Sequence, residues 1–203
     1  GCKMQKIKVN PKTAALLVID MQNGFVEQGA VFCIAGAKKT IPALSDVIKT
    51  ARKEGTKIIW VTRSYDEDMG NMEAARRKFL QERGLKGVLS PKSKGVNSIE
   101  DVDGLIREPE DISVVKHRFS AFFNTELDKI LRENSIDTLV LTGTTTPNCI
   151  RTTAYDGISH DYRVLVVENC CSSMNDEIQR ANMQDMKNVG IEIVSGEEIS
   201  YST

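Results

Sequence analysis

Six short apolar runs recur along this chain, and they limit its possible folds more than any other feature of the sequence. Each run is nearly continuous in Val, Ile and Leu, with little alternation of polar residues: 14–19, 57–62, 112–116, 138–142, 164–168 and 191–194. Strands that are buried on both faces of a parallel sheet have this composition. The sequence therefore predicts a sheet that has helices packed on both of its faces.

Segments with helical spacing lie between the runs. Residues 41–55 and 174–190 repeat apolar side chains at helical intervals, and each segment stops at a glycine. Residues 124–135 begin with an Asn-Thr cap signal and an acidic first turn. Residues 84–111 are predicted to be mostly loop, either a functional lid or a solvated excursion. This alternation predicts a three-layer α/β/α domain with right-handed crossovers, and we expect one domain over residues 1–203.

The charge balance disfavours several classes of partner. Lys and Arg total 27 against 28 Asp and Glu, without a long basic run, so we expect no nucleic acid and no membrane partner. No stretch of 18 apolar residues is present, and the first ten residues lack the apolar core of a secretory signal. The five cysteines show neither zinc-site nor CxxC spacing, which favours free thiols in a reducing cytoplasm.

Three chemically reactive side chains lie where predicted strands end. Asp20 follows the first run, Lys116 closes the third, and Cys149 lies in the loop after the fourth. Taken singly, Asp20 is typical of a turn or helix cap, and a buried cysteine is usually inert packing. Ligands bind beyond the carboxyl ends of the strands in open α/β sheets, so the three residues together indicate an active site.

These three groups form a coherent set for nucleophilic catalysis. A cysteine attacks as the thiolate, and Pro147 suits the first turn of a helix whose free N–H groups would lie near Cys149. Asp20 can accept the thiol proton and later return it to a leaving amine. Lys116 can orient Asp20 and favour the thiolate.

Three segments of the sequence resemble the signature segments of the isochorismatase-like cysteine hydrolases. They read LLVIDMQNGF, VVKHRFSAFFNTELD and LTGTTTPNCIRTTAYDG. That family includes nicotinamidases, N-carbamoylsarcosine, ureidoacrylate and maleamate amidohydrolases, and biuret hydrolases. Counting only the six runs, the resemblance implies a parallel sheet of order 3-2-1-4-5-6 and a catalytic triad of Asp20, Lys116 and Cys149. It also implies a homodimer or homotetramer that acts on a small-molecule substrate.

The resemblance further implies details of the site around the thiol. A non-proline cis peptide bond is expected between Thr144 and Thr145, and the N–H groups of Thr145 and Cys149 would form the oxyanion hole. Gln22 and Phe25 match family positions that face the site.

Other residues near the strand ends are candidates for substrate binding. Arg63 ends the second run, where its guanidinium can hold a substrate carboxylate through two parallel hydrogen bonds. A structural ion pair is the alternative for Arg63. Tyr65, Phe119 and Phe123 are expected to contribute an apolar wall.

The sequence departs from the metal-dependent nicotinamidases in one region. Residues 62–71 read TRSYDEDMGN and lack the Asp-x-His motif of those enzymes. His117 and His160 are the only histidines, and we interpret His117 as structural and His160 as a surface or capping group. The acidic side chains of Asp66 and Asp68 are interpreted as a solvated loop. We therefore expect no metal and no other cofactor.

The nucleophile narrows the predicted reaction. Thiolate attack on a carbonyl carbon gives a thioester, which suits amide or ureido cleavage, whereas true isochorismatases lack this cysteine. The sequence predicts a cytoplasmic cysteine hydrolase for the C–N bond of a small amide, carbamoyl or ureido compound. Two alternatives stay open. One is a nicotinamidase-like amidase without the metal motif, and the other is a catalytically silent family member that serves as a binding or regulatory module.

Overall fold

The computed structural model describes residues 5–203, so Cys2 and the start of the N-terminal segment lie outside the described residues. The strands are β1 (Ile7–Val9), β2 (Ala14–Ile19), β3 (Lys57–Arg63), β4 (Ile112–Lys116), β5 (Thr138–Thr144), β6 (Arg163–Ser172), β7 (Glu192–Val194) and β8 (Ile199–Tyr201). The α-helices are α1 (Asn23–Val26), α2 (Ile41–Lys53), α3 (Ala74–Glu82), α4 (Leu127–Glu133), α5 (Arg151–Ser159) and α6 (Asp176–Asn188). Among the described residues, no helix has both the length and the apolar character needed to cross a membrane.

Six strands form one all-parallel sheet in the order β4-β3-β2-β5-β6-β7. The predicted runs correspond to β2 to β7, so the predicted order 3-2-1-4-5-6 is confirmed. The two remaining strands, β1 and β8, pair in parallel as a separate small sheet that the sequence did not predict.

The central strand β2 contributes to two apolar cores, one on each face of the sheet. Leu16 and Val18 belong to one core, which also includes Leu44 of α2. Leu17 and Ile19 belong to the other core, which is covered by side chains of α4, α5 and α6. Because both faces are buried, β2 has no position for a polar side chain, and the three-layer α/β/α architecture is confirmed.

Helices α2 and α6 lie within the predicted segments 41–55 and 174–190; the glycine after α2 was expected, whereas the cap before α6 was not. Helix α2 ends at Lys53, and Gly55 follows with a φ of 91°. Helix α6 starts after Asn175, whose side chain accepts the Ile178 N–H at 2.9 Å. Both signals act locally, through a left-handed glycine and an N-cap side chain.

The third predicted helix is shorter than expected. Asn124 has a φ of 50°, which is incompatible with a helix, so α4 begins only at Leu127. The Thr125 hydroxyl accepts the Leu127 N–H at 3.2 Å. Residues 84–111 are mostly loop, as predicted, with one 3-10 turn at Gly95–Asn97. Helix α3 was not predicted.

A close backbone approach links β5 to β2 at the carboxyl edge of the sheet. Gly143 pairs with Ile19 and has a φ of 114°. A Cβ atom added to Gly143 would lie 2.0 Å from the Ile19 carbonyl oxygen. Glycine at this position therefore allows the chain to enter the loop that carries Cys149 right beside Asp20.

Replacement of Gly143 by alanine should destabilise the fold strongly. The left-handed backbone alone costs an L-residue about 1–2 kcal/mol, and the collision with Ile19 adds to it, for a total above about 3 kcal/mol. Urea unfolding followed by circular dichroism measures this loss. Gly55→Ala is the matched control, because its φ is also positive and nothing lies within 4 Å of the added Cβ. Equal losses in the two variants would show that the Ile19 contact is relieved at little cost.

Candidate active site

The carboxyl edge of the sheet brings Asp20, Arg63 and Lys116 together. Asp20 directly follows β2 and has a φ of 54°, a conformation that Asp tolerates better than most residues. Arg63 and Lys116 are the last residues of β3 and β4, and they are paired in register. All three side chains are fully buried. This is the edge at which the sequence predicted the site.

Cys149 reaches the same place from β5. The peptide bond between Thr144 and Thr145 is cis, as the resemblance implied. The following turn, Thr146–Ile150, is π-helical and leads directly into α5, with Pro147 in its first positions as predicted. Single π-helical turns occur often at functional sites. Cys149 lies within this turn and is only 3% exposed.

The Lys116 side chain connects the carboxylate with the thiol. Its Nζ atom lies 3.1 Å from Asp20 Oδ2 and 3.5 Å from Cys149 Sγ. It also donates to the carbonyl oxygens of Arg118, at 2.8 Å, and Phe119, at 2.9 Å. Because β4 is two strands away from β2, only a long side chain spans the gap. Burial lowers the pKa of Lys116, and the negative charge of Asp20 opposes this shift.

Arg63 lies in direct contact with both acidic groups of the predicted triad. Its Nη2 atom is 2.8 Å from Cys149 Sγ and 3.5 Å from Asp20 Oδ2. Its Nη1 atom is 3.2 Å from Glu73 Oε1 and donates to the Tyr65 hydroxyl. Burial acts to lower the pKa of Arg63, but Cys149 and Asp20 outweigh it and the pKa is raised. Both terminal nitrogens thus have protein partners, and the carboxylate-binding role of Arg63 stays a prediction.

Burial and the neighbouring charges act on the Cys149 thiol in opposite directions. Burial raises the pKa of Cys149, and the Asp20 charge adds to that effect, while Lys116 and Arg63 act in the opposite direction. Asp20 Oδ2 contacts both cations, whereas Asp20 Oδ1 has no hydrogen-bond partner among the described residues. Oδ1 is therefore the carboxylate oxygen that is available to accept a proton.

Aromatic rings surround the Arg63 guanidinium. The ring centroids of Phe25, Tyr65 and Phe119 lie 5.7, 5.6 and 5.3 Å from Arg63 Cζ. These rings make the environment of the charge cluster apolar, which strengthens the interactions inside it. Phe123 is 50% exposed and stands farther out, at the surface. Contact of these four rings with a substrate stays a prediction.

Gln22 supports the site from behind. Its Nε2 atom donates to the carbonyl oxygens of Arg63, at 2.8 Å, and Ile99, at 3.1 Å. Its Oε1 atom accepts the Arg63 N–H at 2.8 Å. Both ends of the amide are engaged with backbone, so the observed task of Gln22 is to hold the end of β3. The contact of Gln22 with substrate stays a prediction.

A cleft of about 520 Å³ opens beside the cluster. Glu73 and Phe119 line this cleft and also contact Arg63. The other walls include Arg118, Phe123, Pro147 and Arg151. A volume of this kind suits a small molecule.

Glu73 is the site residue that the sequence did not reveal. Its carboxylate contacts Arg63, and its Oε2 atom accepts the Tyr65 hydroxyl at 3.0 Å. Glu73 directly precedes α3, a charged helix with only one buried residue, Leu80. Weak apolar periodicity left this helix unpredicted, and no motif connects Glu73 with the end of β3.

No group of three or more His, Cys, Asp or Glu side chains in residues 5–203 is arranged to hold a metal ion. Asp68 of the acidic loop accepts the Gly70 N–H at 2.8 Å. The His117 ring nitrogen Nδ1 lies 2.6 Å from the Ser64 carbonyl oxygen. These side chains therefore serve local backbone contacts.

Comparison with known proteins agrees with this architecture. The family model described as the Isochorismatase domain matches residues 14–198. A protein of Arabidopsis thaliana described as a probable inactive nicotinamidase is 42% identical over 183 residues, covering 89% of this chain and 91% of its own length. Ureidoacrylate amidohydrolase RutB of Caulobacter segnis is 33% identical over 200 residues, covering 89% of this chain and 84% of its own length.

A solved structure shows the same fold. The crystal structure of an isochorismatase family protein from Desulfovibrio vulgaris has a TM-score of 0.86 and 38% identity, covering 92% of this chain and 95% of its own. The matched residues 14–198 include the whole six-stranded sheet and Asp20, Lys116 and Cys149. On this evidence, the chain belongs to the isochorismatase family.

Proposed function

We propose that this protein is a cysteine hydrolase that cleaves a C–N bond of a small amide, carbamoyl or ureido compound through a thioester. One observation carries the proposal, namely that the Lys116 ammonium lies 3.1 Å from Asp20 Oδ2 and 3.5 Å from Cys149 Sγ in a buried cluster. A base, a cation and a nucleophile in contact are the parts that acyl transfer needs. The similarity to a ureidoacrylate amidohydrolase supports the substrate class.

The first half of the reaction forms the thioester. Asp20 takes the Cys149 proton on its free Oδ1 atom, and the thiolate attacks the carbonyl carbon of the substrate. The backbone N–H groups of Thr145 and Cys149 hold the resulting oxyanion. The C–N bond then breaks, and Asp20 returns its proton to the departing ammonia or amine.

The second half releases the acid. Asp20, again a carboxylate, deprotonates a water molecule that attacks the thioester carbonyl. The C–S bond breaks, its electron pair returns to sulfur, and the proton on Asp20 restores the thiol. Asp20 thus serves as base and acid in turn, while Lys116 keeps its carboxylate oriented.

The surroundings fit a small substrate in a reducing compartment. The cleft lined by Glu73 and Phe119 is the proposed entry route, since these two residues also contact Arg63 of the cluster. Cys33, Cys149, Cys170 and Cys171 are free thiols, which supports a cytoplasmic location. We propose a homodimer or homotetramer, as the family resemblance implies.

A catalytically silent binding protein is the second candidate. The Arabidopsis relative, 42% identical, is described as inactive, and Cys149 is almost fully enclosed. An ammonia-release screen over primary amides, nicotinamide, N-carbamoyl compounds and ureido acids separates the candidates. Turnover of a carbamoyl or ureido compound supports the proposal, and turnover of nicotinamide alone supports the nicotinamidase-like alternative. Saturable binding without any turnover supports the silent one.

Replacement of Cys149 by alanine should abolish turnover and leave the fold intact. The thioester cannot form without the sulfur, so kcat should fall by at least about 10³-fold. Ammonia release on the best substrate measures the loss, and circular dichroism checks the fold. Cys33→Ala is the matched control, because this thiol donates to the Val26 carbonyl oxygen at 3.7 Å and lies outside the cluster. Residual activity above a few per cent in Cys149→Ala would contradict the mechanism.

Asp20 and Lys116 should behave as one unit with the thiol. Asp20→Asn and Lys116→Met should each reduce kcat by about 10²–10⁴-fold, because Asp20 carries the proton and Lys116 orients Asp20 for the same transfer. Groups that act together give strongly non-additive losses, so the double variant should be barely slower than either single one. Steady-state kinetics of the three variants test this. Losses that multiply in the double variant would assign separate roles to the two residues.

Activity should not depend on a metal ion. The expectation rests on the missing Asp-x-His motif in residues 62–71 and on the local contacts of Asp68 and His117. Dialysis against a strong chelator, followed by the same ammonia assay, should leave kcat unchanged. A loss that zinc, iron or manganese restores would refute this prediction.

A further inference from the structure

We infer that Arg63 is a fourth catalytic group, which donates a hydrogen bond directly to the attacking sulfur of Cys149, and that Glu73 and Tyr65 hold it in place. The inference rests on the proposed function, because it assigns a role within that reaction. In that role, Arg63 is the group that stabilises the thiolate.

Lys116 has no N–H donor left for a good hydrogen bond to the sulfur. An ammonium group has three N–H donors. The Lys116 ammonium has three oxygen acceptors within 3.1 Å, namely Asp20 Oδ2 and the carbonyl oxygens of Arg118 and Phe119. The sulfur lies farther away, at 3.5 Å, and would be a fourth acceptor. Lys116 therefore contributes its charge to the thiolate, while its directed hydrogen bonds go to oxygen.

Arg63 has the geometry that Lys116 lacks. Its Nη2 atom is only 2.8 Å from Sγ, the shortest contact that a charged group makes with the sulfur. A guanidinium offers its donors in a rigid planar fork, so one edge can bind the sulfur while the other binds elsewhere. The Nη1 atom uses this freedom to contact Glu73, at 3.2 Å, and the Tyr65 hydroxyl. The guanidinium is thereby fixed from the side opposite to the sulfur.

The charges in the cluster are compatible with this role of Arg63. Lys116 offsets the charge of Asp20, and Glu73 lies near two cations, Arg63 at 3.2 Å and Arg76 at 3.9 Å. Transfer of the Cys149 proton to Asp20 leaves the total charge unchanged, because a thiolate replaces a carboxylate. Arg63 therefore contributes a directed donor to the sulfur in addition to its charge. Without Arg63, a buried thiolate would lose its closest donor, which is costly in an apolar environment.

The proposed contact acts twice in the reaction. It stabilises the thiolate before attack and weakens when the sulfur becomes part of a neutral thioester. It forms again when the C–S bond breaks and the electron pair returns to sulfur. Arg63 thus favours Cys149 both as nucleophile and as leaving group.

The competing role for Arg63 is to bind a substrate carboxylate. A carboxylate held through both terminal nitrogens would have to compete with Glu73 at Nη1 and with the sulfur at Nη2, since both atoms are engaged. The remaining nitrogen, Nε, is buried without a hydrogen-bond partner among the described residues. The observed contacts favour the thiolate role.

The pH dependence of Cys149 alkylation by iodoacetamide tests the inference without any substrate. The charged groups that act on the thiol are Asp20, Lys116 and Arg63, and only Arg63 is changed. Because Arg63 favours the thiolate, its loss must raise the pKa of Cys149. In Arg63→Met, the midpoint of the alkylation profile should move up by at least about one pH unit, a tenfold smaller thiolate fraction at neutral pH. Mass spectrometry of the Cys149 peptide gives the rate, and the midpoint does not depend on how easily the reagent enters.

Two further variants complete the experiment. Arg63→Lys retains the charge but cannot bridge Glu73 and the sulfur, so its midpoint should lie between those of the wild type and Arg63→Met. It decides the question if Arg63→Met does not fold. Arg163→Met is the control for loss of a paired arginine elsewhere, because Arg163 forms an exposed ion pair with Glu192, at 2.7 Å, at the amino end of β6. Its profile should match that of the wild type.

Turnover measurements then distinguish the thiolate role of Arg63 from carboxylate binding, and they test the proposed function separately. Arg63→Met should lose the same factor in kcat/KM on an N-carbamoyl amino acid and on its methyl ester. An unchanged alkylation midpoint, with losses confined to the carboxylated substrate, would overturn the inference in favour of a carboxylate-binding Arg63. Absence of any wild-type turnover would reject the proposed function, while a shifted midpoint would still establish the Arg63–Cys149 contact.

Discussion

The pairing of two cations with two carboxylates in an almost dry interior is the interaction on which this structure depends. Arg63, Lys116 and Asp20 are fully buried, and the Glu73 side chain is only 15% exposed. An unpaired charge in such a place costs several kcal/mol, so each group is tolerated only if its partners are in position. The need to hold the charged partners in position accounts for the alignment of the ends of β2, β3 and β4. It also accounts for the two hydrogen bonds between the Gln22 amide and the backbone of Arg63. The scaffold thus positions charge before any substrate arrives.

Much of the fold follows from the sequence because the parallel sheet is buried on both faces. Burial requires continuous apolar runs, and those runs are legible without a structure, from 14–19 to 191–194. The strand ends then locate Asp20, Lys116 and Cys149 at a common edge. The predicted strand order also implies that Lys116 must reach across a strand to Asp20. The 3.1 Å contact between Lys116 Nζ and Asp20 Oδ2 shows this reach.

The remainder depends on contacts that have no local signature. The sequence places Arg63 at the end of a strand. It does not show that the Arg63 guanidinium contacts the Cys149 sulfur, because that contact depends on how β3 and the turn after β5 lie in the folded protein. Glu73 belongs to a charged segment whose helix buries only Leu80, so neither the helix nor the carboxylate is visible in the pattern. The predicted start of α4 was wrong because Asn124 adopts a left-handed backbone conformation. The Asn-Thr sequence alone does not distinguish that conformation from a helix cap. Gln22 matches a site motif, yet its amide is used by backbone groups in its neighbourhood.

The burial of Cys149 also affects how readily peroxides oxidise this residue. Oxidation of a cysteine to sulfenic and higher acids requires both thiolate character and access for the oxidant. Cys149 is 3% exposed and its pKa is raised by burial, so the resting protein presents little reactive sulfur at this position. Cys33 is partly exposed and lies outside the cluster, which makes it the most accessible of the four cysteines within residues 5–203. Oxidation of Cys149 therefore requires a conformation in which its sulfur is more accessible than it is here.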